Sequence, residues 1–296
     1  MKRREFITLI GGVAAWPLAA RAQQAERIRR IGVLMNTVSD DAEGQARLAA
    51  FHQGLQQLGW TVGHNVQIDY RWGGDDAERT RRGAAELIAL GSDAILASGT
   101  PSVAALQQAT DRIPIVFAQV IDPVGSGFVA SLARPGGNTT GFALFEFGIA
   151  AKWLELLKEI APRVTRVAVL RDLTIGISQL AAIQAVAPAL GVELTPIGIR
   201  DAVEVERGVT AFARGSTDGM IVTPSTLALA HRELIATVAA RHRLPAVYAW
   251  RYMVTAGGLL SYGPTTVDPF RRAAGYVDVR VRSRPICRCK RQPNTS

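Results

Sequence analysis

Imidazole is the commonest metal ligand and general base near neutral pH, so the four histidines, His52, His64, His231 and His242, are the first candidates for chemistry. They are scattered: no H-x-H or H-E-x-x-H spacing gathers two of them, so a zinc or metalloprotease site lacks its ligands. His231 and His242 sit near one helical stripe, but among Arg232, Glu233, Arg241 and Arg243 they read as a solvated helix face. No G-x-S-x-G elbow, P-loop or G-x-G-x-x-G after a first strand occurs, and no nucleophile has an obvious base. The GSGF run at Gly125–Phe128 reads as a helix start. Cys287 and Cys289, with one residue between them, suit neither an easy disulfide nor a full metal site. No catalytic set, metal or cofactor is expected.

The remaining chemistry is that of binding. Gly99-Thr100-Pro101-Ser102 joins a strand to a helix, so its backbone N–H groups and the helix dipole favour an anion such as an amino acid carboxylate; a plain turn capped by Thr100 is the alternative. Asn36 and Thr37 follow a first strand, Gln119 and Asp122 a fourth, and all belong to the same rim. Asp122 could accept a ligand ammonium, yet Asp122-Pro123 is equally a turn. In the second half, Arg171 and Asp172 follow one strand, Ser225 and Thr226 another, and Arg251 the last. Arg251 could clamp a carboxylate with its two-pronged donor face, or pair with an acid across a cleft. Trp250, Tyr252 and Phe145 could stack on an aromatic ligand or simply fill the core.

These residues depend on the elements that carry them. Arg30–Met35 is an apolar run suited to a buried parallel strand, and Asp40 or Asp41 can cap a helix in which Leu48, Phe51, Leu55 and Leu58 recur at helical spacing. Strands at 65–72, 93–97 and 114–118 alternate with helices at 77–90 and 101–110. After Arg134-Pro135-Gly136-Gly137-Asn138 the pattern restarts, with strands at 166–170, 192–197, 219–222 and 245–248 among helices near 147–161, 176–190, 202–214 and 227–243. Repeated alternation predicts two doubly wound parallel-sheet lobes, an α/β fold. A strand at 258–262 and a helix from Asp268 to Asp278 are expected to cross back and finish the first lobe. The expected division is 28–138 with 259–278 as lobe 1 and 139–258 as lobe 2. Gly137, Asn138, Thr139, Thr140, Gly141 and Leu259 are the expected hinge, with Asn138–Phe142 as its first strand. Ligands of open parallel sheets bind beyond the carboxyl ends of the strands, so two facing sheets make a closing cleft.

The chain has 296 residues, 48% hydrophobic and 20% charged, which excludes disorder and collagen-like repeats. Its net charge of +9 sits at the ends: residues 1–24 carry +3 and residues 280–296 carry +6, leaving 25–279 neutral. A neutral body gives no global field for a nucleic acid. Lys2-Arg3-Arg4, a broken apolar stretch to Ala20 and Ala20-Arg21-Ala22 form a twin-arginine-like export signal, 1–22, expected to be cleaved after Ala22 in a Gram-negative periplasm.

Three segments carry a resemblance. IPIVFAQVIDPVGSGFVASLARPGGNTTG (Ile113–Gly141), ASGTPSVAALQQAT (Ala97–Thr110) and LPAVYAWRYMVTAGGLLSYGP (Leu244–Pro264) resemble the periplasmic solute-binding proteins of ABC transporters that include the tryptophan-binding type. The resemblance spans roughly residues 28–278. It implies a type I periplasmic binding fold, substrate at the 99–102 loop, and a monomer that delivers a small solute to an inner-membrane ABC permease powered by a cytoplasmic ATPase. Some members bind aromatic amino acids, so an amino acid or aromatic carboxylate is the expected ligand. A periplasmic sensor for a signalling partner is the alternative, and a two-domain α/β transferase the third reading. In relatives the segment matching AAGYVD (Ala273–Asp278) continues as a helix, a KPADLPVQ-like stretch and a third crossing. Here Val279–Ser296 is basic and patternless, and codons compatible with Arg282–Ser296, shifted by one base, permit KPADLPVQAPTKYE. A frameshift near residue 279 is therefore expected, with a genuine basic tail as the alternative; an uninterrupted frame on resequencing would exclude the shift.

Overall fold

The structure, a computed structural model, describes residues 28–143, 148–173 and 177–283. The expected export signal (1–22), Phe145 and residues 284–296 lie outside the described residues. β1 (Arg29–Met35) buries its last five residues in succession, as a strand covered on both faces must. Asp41 caps α1 (Ala42–Gln57) by accepting the Gly44 N–H at 2.8 Å on Oδ1. β2 (Val66–Trp72), α2 (Ala77–Ala89), β3 (Ala94–Ser98), α3 (Gly99–Ala109), β4 (Ile115–Val120) and β5 (Thr139–Ala143) complete a parallel sheet of order β2-β1-β3-β4-β5.

The second sheet is also parallel, of order β10-β9-β8-β6-β7. It is built from β6 (Arg166–Asp172), β7 (Glu193–Ile199), β8 (Asp218–Val222), β9 (Ala246–Tyr248) and β10 (Leu260–Ser261). Its helices are α4 (Ile149–Ile160), α5 (Ile177–Val186), α6 (Ala202–Phe212), α7 (Thr226–Ala230), α8 (Arg232–Arg241) and α9 (Arg251–Thr255). The final helix, α10 (Asp268–Ser283), returns to the first lobe. Each lobe has its own core. In the first, Phe51, Leu55, Phe270 and Val277 cover one sheet face and Leu87, Val103 and Leu106 the other. In the second, Trp153, Leu157, Val209 and Ile235 are among the residues packed around the sheet.

The chain departs from the expected layout in five places. The strand near 258–262 shortens to β10 and pairs with β9, so it completes the second sheet; only α10 crosses back. β5 pairs with β4 at Ile115↔Thr139, Val116↔Thr140 and Phe117↔Gly141, so Thr139–Ala143 is an edge strand of the first lobe. It is held there by close backbone approach, for a Cβ on Gly141 would lie 2.1 Å from the Phe117 carbonyl oxygen. The GSGF run forms turns, because Gly127 takes φ +75° and Phe128 N–H returns to the Pro123 carbonyl. The helix expected over 227–243 breaks at His231, where φ −105° and ψ 24° end α7 and begin α8. Finally, α10 runs past residue 279 to Ser283. Val281 is buried there, and the Arg282 guanidinium lies 5.1 Å from the Trp60 ring.

Candidate ligand-binding site

The loops after the strands bring the two lobes together. Asn36, just after β1, donates from Nδ2 to the Thr226 hydroxyl of the second lobe at 3.1 Å, while its Oδ1 accepts from Ser98 at 2.6 Å. Gly99 makes room for this side chain: it takes φ +78°, and a Cβ would lie 2.6 Å from Asn36 Nδ2. Ser225 caps α7 by accepting the Ala228 N–H at 2.9 Å. Asp41 Oδ2 pairs with Arg232 at 2.8 Å, and Asp75 with His231 at 3.6 Å. A cleft of about 530 Å³ opens beside these contacts, lined by Thr37, Asp40 and Gly74 on one side and Ala230 and Glu233 on the other.

Several polar groups near this interface are buried without a partner. The Thr37 and Ser102 hydroxyls are two of them. A third was not legible as a site in the sequence: Arg47, fully buried on α1. Its Nε meets Glu43 Oε1 at 3.2 Å, but Nη1 and Nη2 have no acceptor. The Thr266 hydroxyl donates to the same Glu43 oxygen, and Gln119 Nε2 donates to the Thr266 carbonyl at 3.1 Å. From the second lobe Tyr252 faces Arg47, Glu43 and Arg232, and its buried hydroxyl is turned toward the Arg47 guanidinium without reaching full hydrogen-bond geometry. Burial pushes the Tyr252 phenol well above its ordinary value, so it stays a neutral donor. The signal that could have found Arg47 is its position: Gly44, Arg47, Leu48, Phe51, Gly54 and Leu55 form one buried stripe on α1.

The other expected residues divide. Thr100 Oγ1 accepts the Ile121 N–H at 3.4 Å and does not cap α3, and Pro101 is exposed. Gln119 and Asp122 both take positive φ, and Asp122 Oδ1 accepts the Gly125 N–H at 2.9 Å, so that oxygen holds a turn. Arg171 and Asp172 are half-buried at the end of β6, with Arg171 Nη2 3.4 Å from the Leu173 carbonyl. Arg251 is exposed, on the outward side of α9, whereas Trp250 and Tyr252 are buried with ring centroids 5.2 Å apart. The expected hinge is pinned: Asn138 Nδ2 donates to the Ile113 carbonyl at 2.8 Å, Gln107 donates to Thr139 Oγ1 at 2.8 Å, and Thr140 pairs with Val116. Gly137 immediately precedes this anchored strand, and Leu259 precedes β10. The chain crosses between lobes after Ala143 and again between Ser261 and Asp268. Trp153 Nε1 anchors the second crossing by donating to the Tyr262 carbonyl at 2.7 Å. Among the described residues, no group of three or more His, Cys, Asp or Glu could hold a metal ion.

Residues 30–280 match the family model described as ABC transporter substrate binding protein. A tyrosine-binding protein of Clostridioides difficile (strain R20291) is 28% identical over 215 residues, 72% of this chain and 61% of that relative. The chain thus spans less than two thirds of that relative's length. The chain superposes on an ABC domain from Streptococcus pneumoniae in complex with L-Trp with a TM-score of 0.78 and 22% identity, covering 86% of this chain and 85% of that one. On a ligand-free, open substrate-binding protein with adhesive properties from Clostridium difficile the TM-score is 0.63 and the identity 26%, covering 87% of this chain and 86% of that one.

Proposed function

Because this chain belongs to the ABC transporter substrate-binding protein family, which is non-enzymatic, we propose that it binds a small solute between its lobes and delivers it to an ABC permease. The observation that carries this reading is the closure of two doubly wound lobes through Asn36–Thr226 and Asp41–Arg232, beside buried polar groups with no partner. Such groups cost free energy unless something bonds them. A solute in the cleft is that something, and by bonding both lobes it shifts the open–closed population toward the closed form. The export signal at residues 1–22 belongs to the same reading, since importers of this kind collect their solutes outside the inner membrane. Recognition of amino acids or aromatic carboxylates is proposed from the names of the relatives and from Trp250 and Tyr252.

The experiment is a thermal melt of the chain from Gln23 onward against amino acids, aromatic acids, sugars and polyols. A solute present at a hundred times its Kd adds about 2.7 kcal/mol. A raised Tm with one chemical class is the expected result; a cooperative melt that no solute moves counts against solute binding.

A further inference from the structure

An arginine cannot shed its proton, so an arginine removed from water must be matched by anions or acceptors on all its donors. Arg47 is 0% exposed; Glu43 matches its Nε, and the Tyr252 hydroxyl lies toward the guanidinium without making a full hydrogen bond to either Nη. The Phe270 ring, 5.9 Å from the guanidinium carbon, offers a weak contact that satisfies neither Nη. Glu43 is itself shared with the Thr266 hydroxyl.

We propose that the two Nη groups of Arg47 are the receptor for a carboxylate on the solute, with the Tyr252 hydroxyl closing onto the same group from the other lobe. A planar carboxylate accepts two parallel hydrogen bonds from a guanidinium, a geometry no hydroxyl of a sugar reproduces. Charge favours a monoanion. Arg47 and Glu43 already cancel, so a bound carboxylate leaves one negative charge uncompensated and a phosphate dianion leaves two. Because Arg47 belongs to the first lobe and Tyr252 to the second, the carboxylate would couple occupancy to closure. The Thr37 and Ser102 hydroxyls remain for the rest of the solute. This assignment rests on the solute-binding reading above and narrows it to carboxylate-bearing solutes.

The test compares each carboxylate that raises the Tm of the wild-type chain with its primary amide, and repeats the measurement on Arg47→Met. Removing the guanidinium also leaves Glu43 without its ion-pair partner, so a lower ligand-free Tm is expected for R47M and binding is read against that baseline. The expected result is stabilisation by the acid and not by the amide, with the acid's Kd weakened at least about 30-fold in R47M. Equal stabilisation by acid and amide, or undiminished acid binding by R47M, overturns the assignment while leaving solute binding intact. Stabilisation by sugars or polyols alone does the same. If no solute moves the wild-type melt, the solute-binding reading falls and this inference with it. Should R47M fail to melt cooperatively, the wild-type comparison of acid with amide decides alone.

Discussion

Asp41 serves both lobes with one carboxylate: Oδ1 accepts the Gly44 N–H at 2.8 Å while Oδ2 lies 2.8 Å from Arg232 Nη1 across the cleft. The two jobs can be separated. Asp41→Asn keeps the cap, since asparagine is an equally good cap residue, and loses the inter-lobe charge; Asp41→Ala loses both and costs about 1 kcal/mol more in stability. Arg232→Gln is expected to leave the unliganded Tm nearly unchanged and to weaken the Kd of a solute that stabilises the wild type by roughly tenfold, which is about 1.4 kcal/mol of closed-state preference. Calorimetric titration checks the affinity. Unchanged affinity in R232Q would show that the pair contributes nothing to closure.

Gly99→Ala tests the packing behind Asn36. The position takes φ +78°, which costs an L-residue about 1–2 kcal/mol, and the new methyl would push on Asn36. The loss should therefore appear twice, as a lower Tm and as weaker solute binding through the displaced Asn36–Thr226 bond. A variant with lower Tm and normal affinity would separate Asn36 from ligand-driven closure.

The acid side of the stability curve should depend on His52. Burial holds its imidazole below the ordinary value of 6.5, and its Nε2 lies 2.6 Å from the Tyr70 hydroxyl, whose own pKa burial pushes up to about 12. Below pH 6.5 the unfolded chain takes up this proton before the folded one does. Stability therefore falls as the pH drops through that window, until the folded ring is protonated too. Melts at pH 7.5 and 5.5 should show a smaller acid-side loss for His52→Gln than for the wild type. Equal losses would place the acid sensitivity elsewhere.

Val281 reports on the end of α10. It is fully buried in the first lobe, so Val281→Ala should cost about 1–3 kcal/mol, read as a lower denaturation midpoint. A neutral substitution would mean that the helix frays before it reaches this residue.

Fold class was legible because apolar runs bounded by caps and glycines repeat with one grammar: β1, α1 and β3 fall within a few residues of where their periodicity puts them. Strand partnership was not. Thr139–Ala143 and Leu260–Ser261 are short and alternate nothing, and their sheets are chosen by long-range pairing with β4 and β9. The helical tail past residue 279 was hidden for a related reason. Its arginines mask one apolar position, Val281, and the Arg282 side chain lies across Trp60 through contacts 222 residues distant in the chain. At the site, Arg251 reads as a carboxylate clamp because it follows a strand, whereas Arg47, on a stripe of small and apolar residues, gives no such signal. Burial reverses that order.

The position of β5 decides how the two halves can swing. It is the outermost strand on its side of the first sheet, and the chain leaves for the other lobe directly after it, whereas Asp75 follows β2 at the opposite edge. Four strand spacings separate them, about 19 Å. Under the proposed lobe closure the molecule would work as a door hung along one edge, with Asp75–His231 placed toward the handle side. A rotation too small to disturb the backbone at the hung edge still parts the far edge by several ångströms, so a weak contact there resists opening with a long lever.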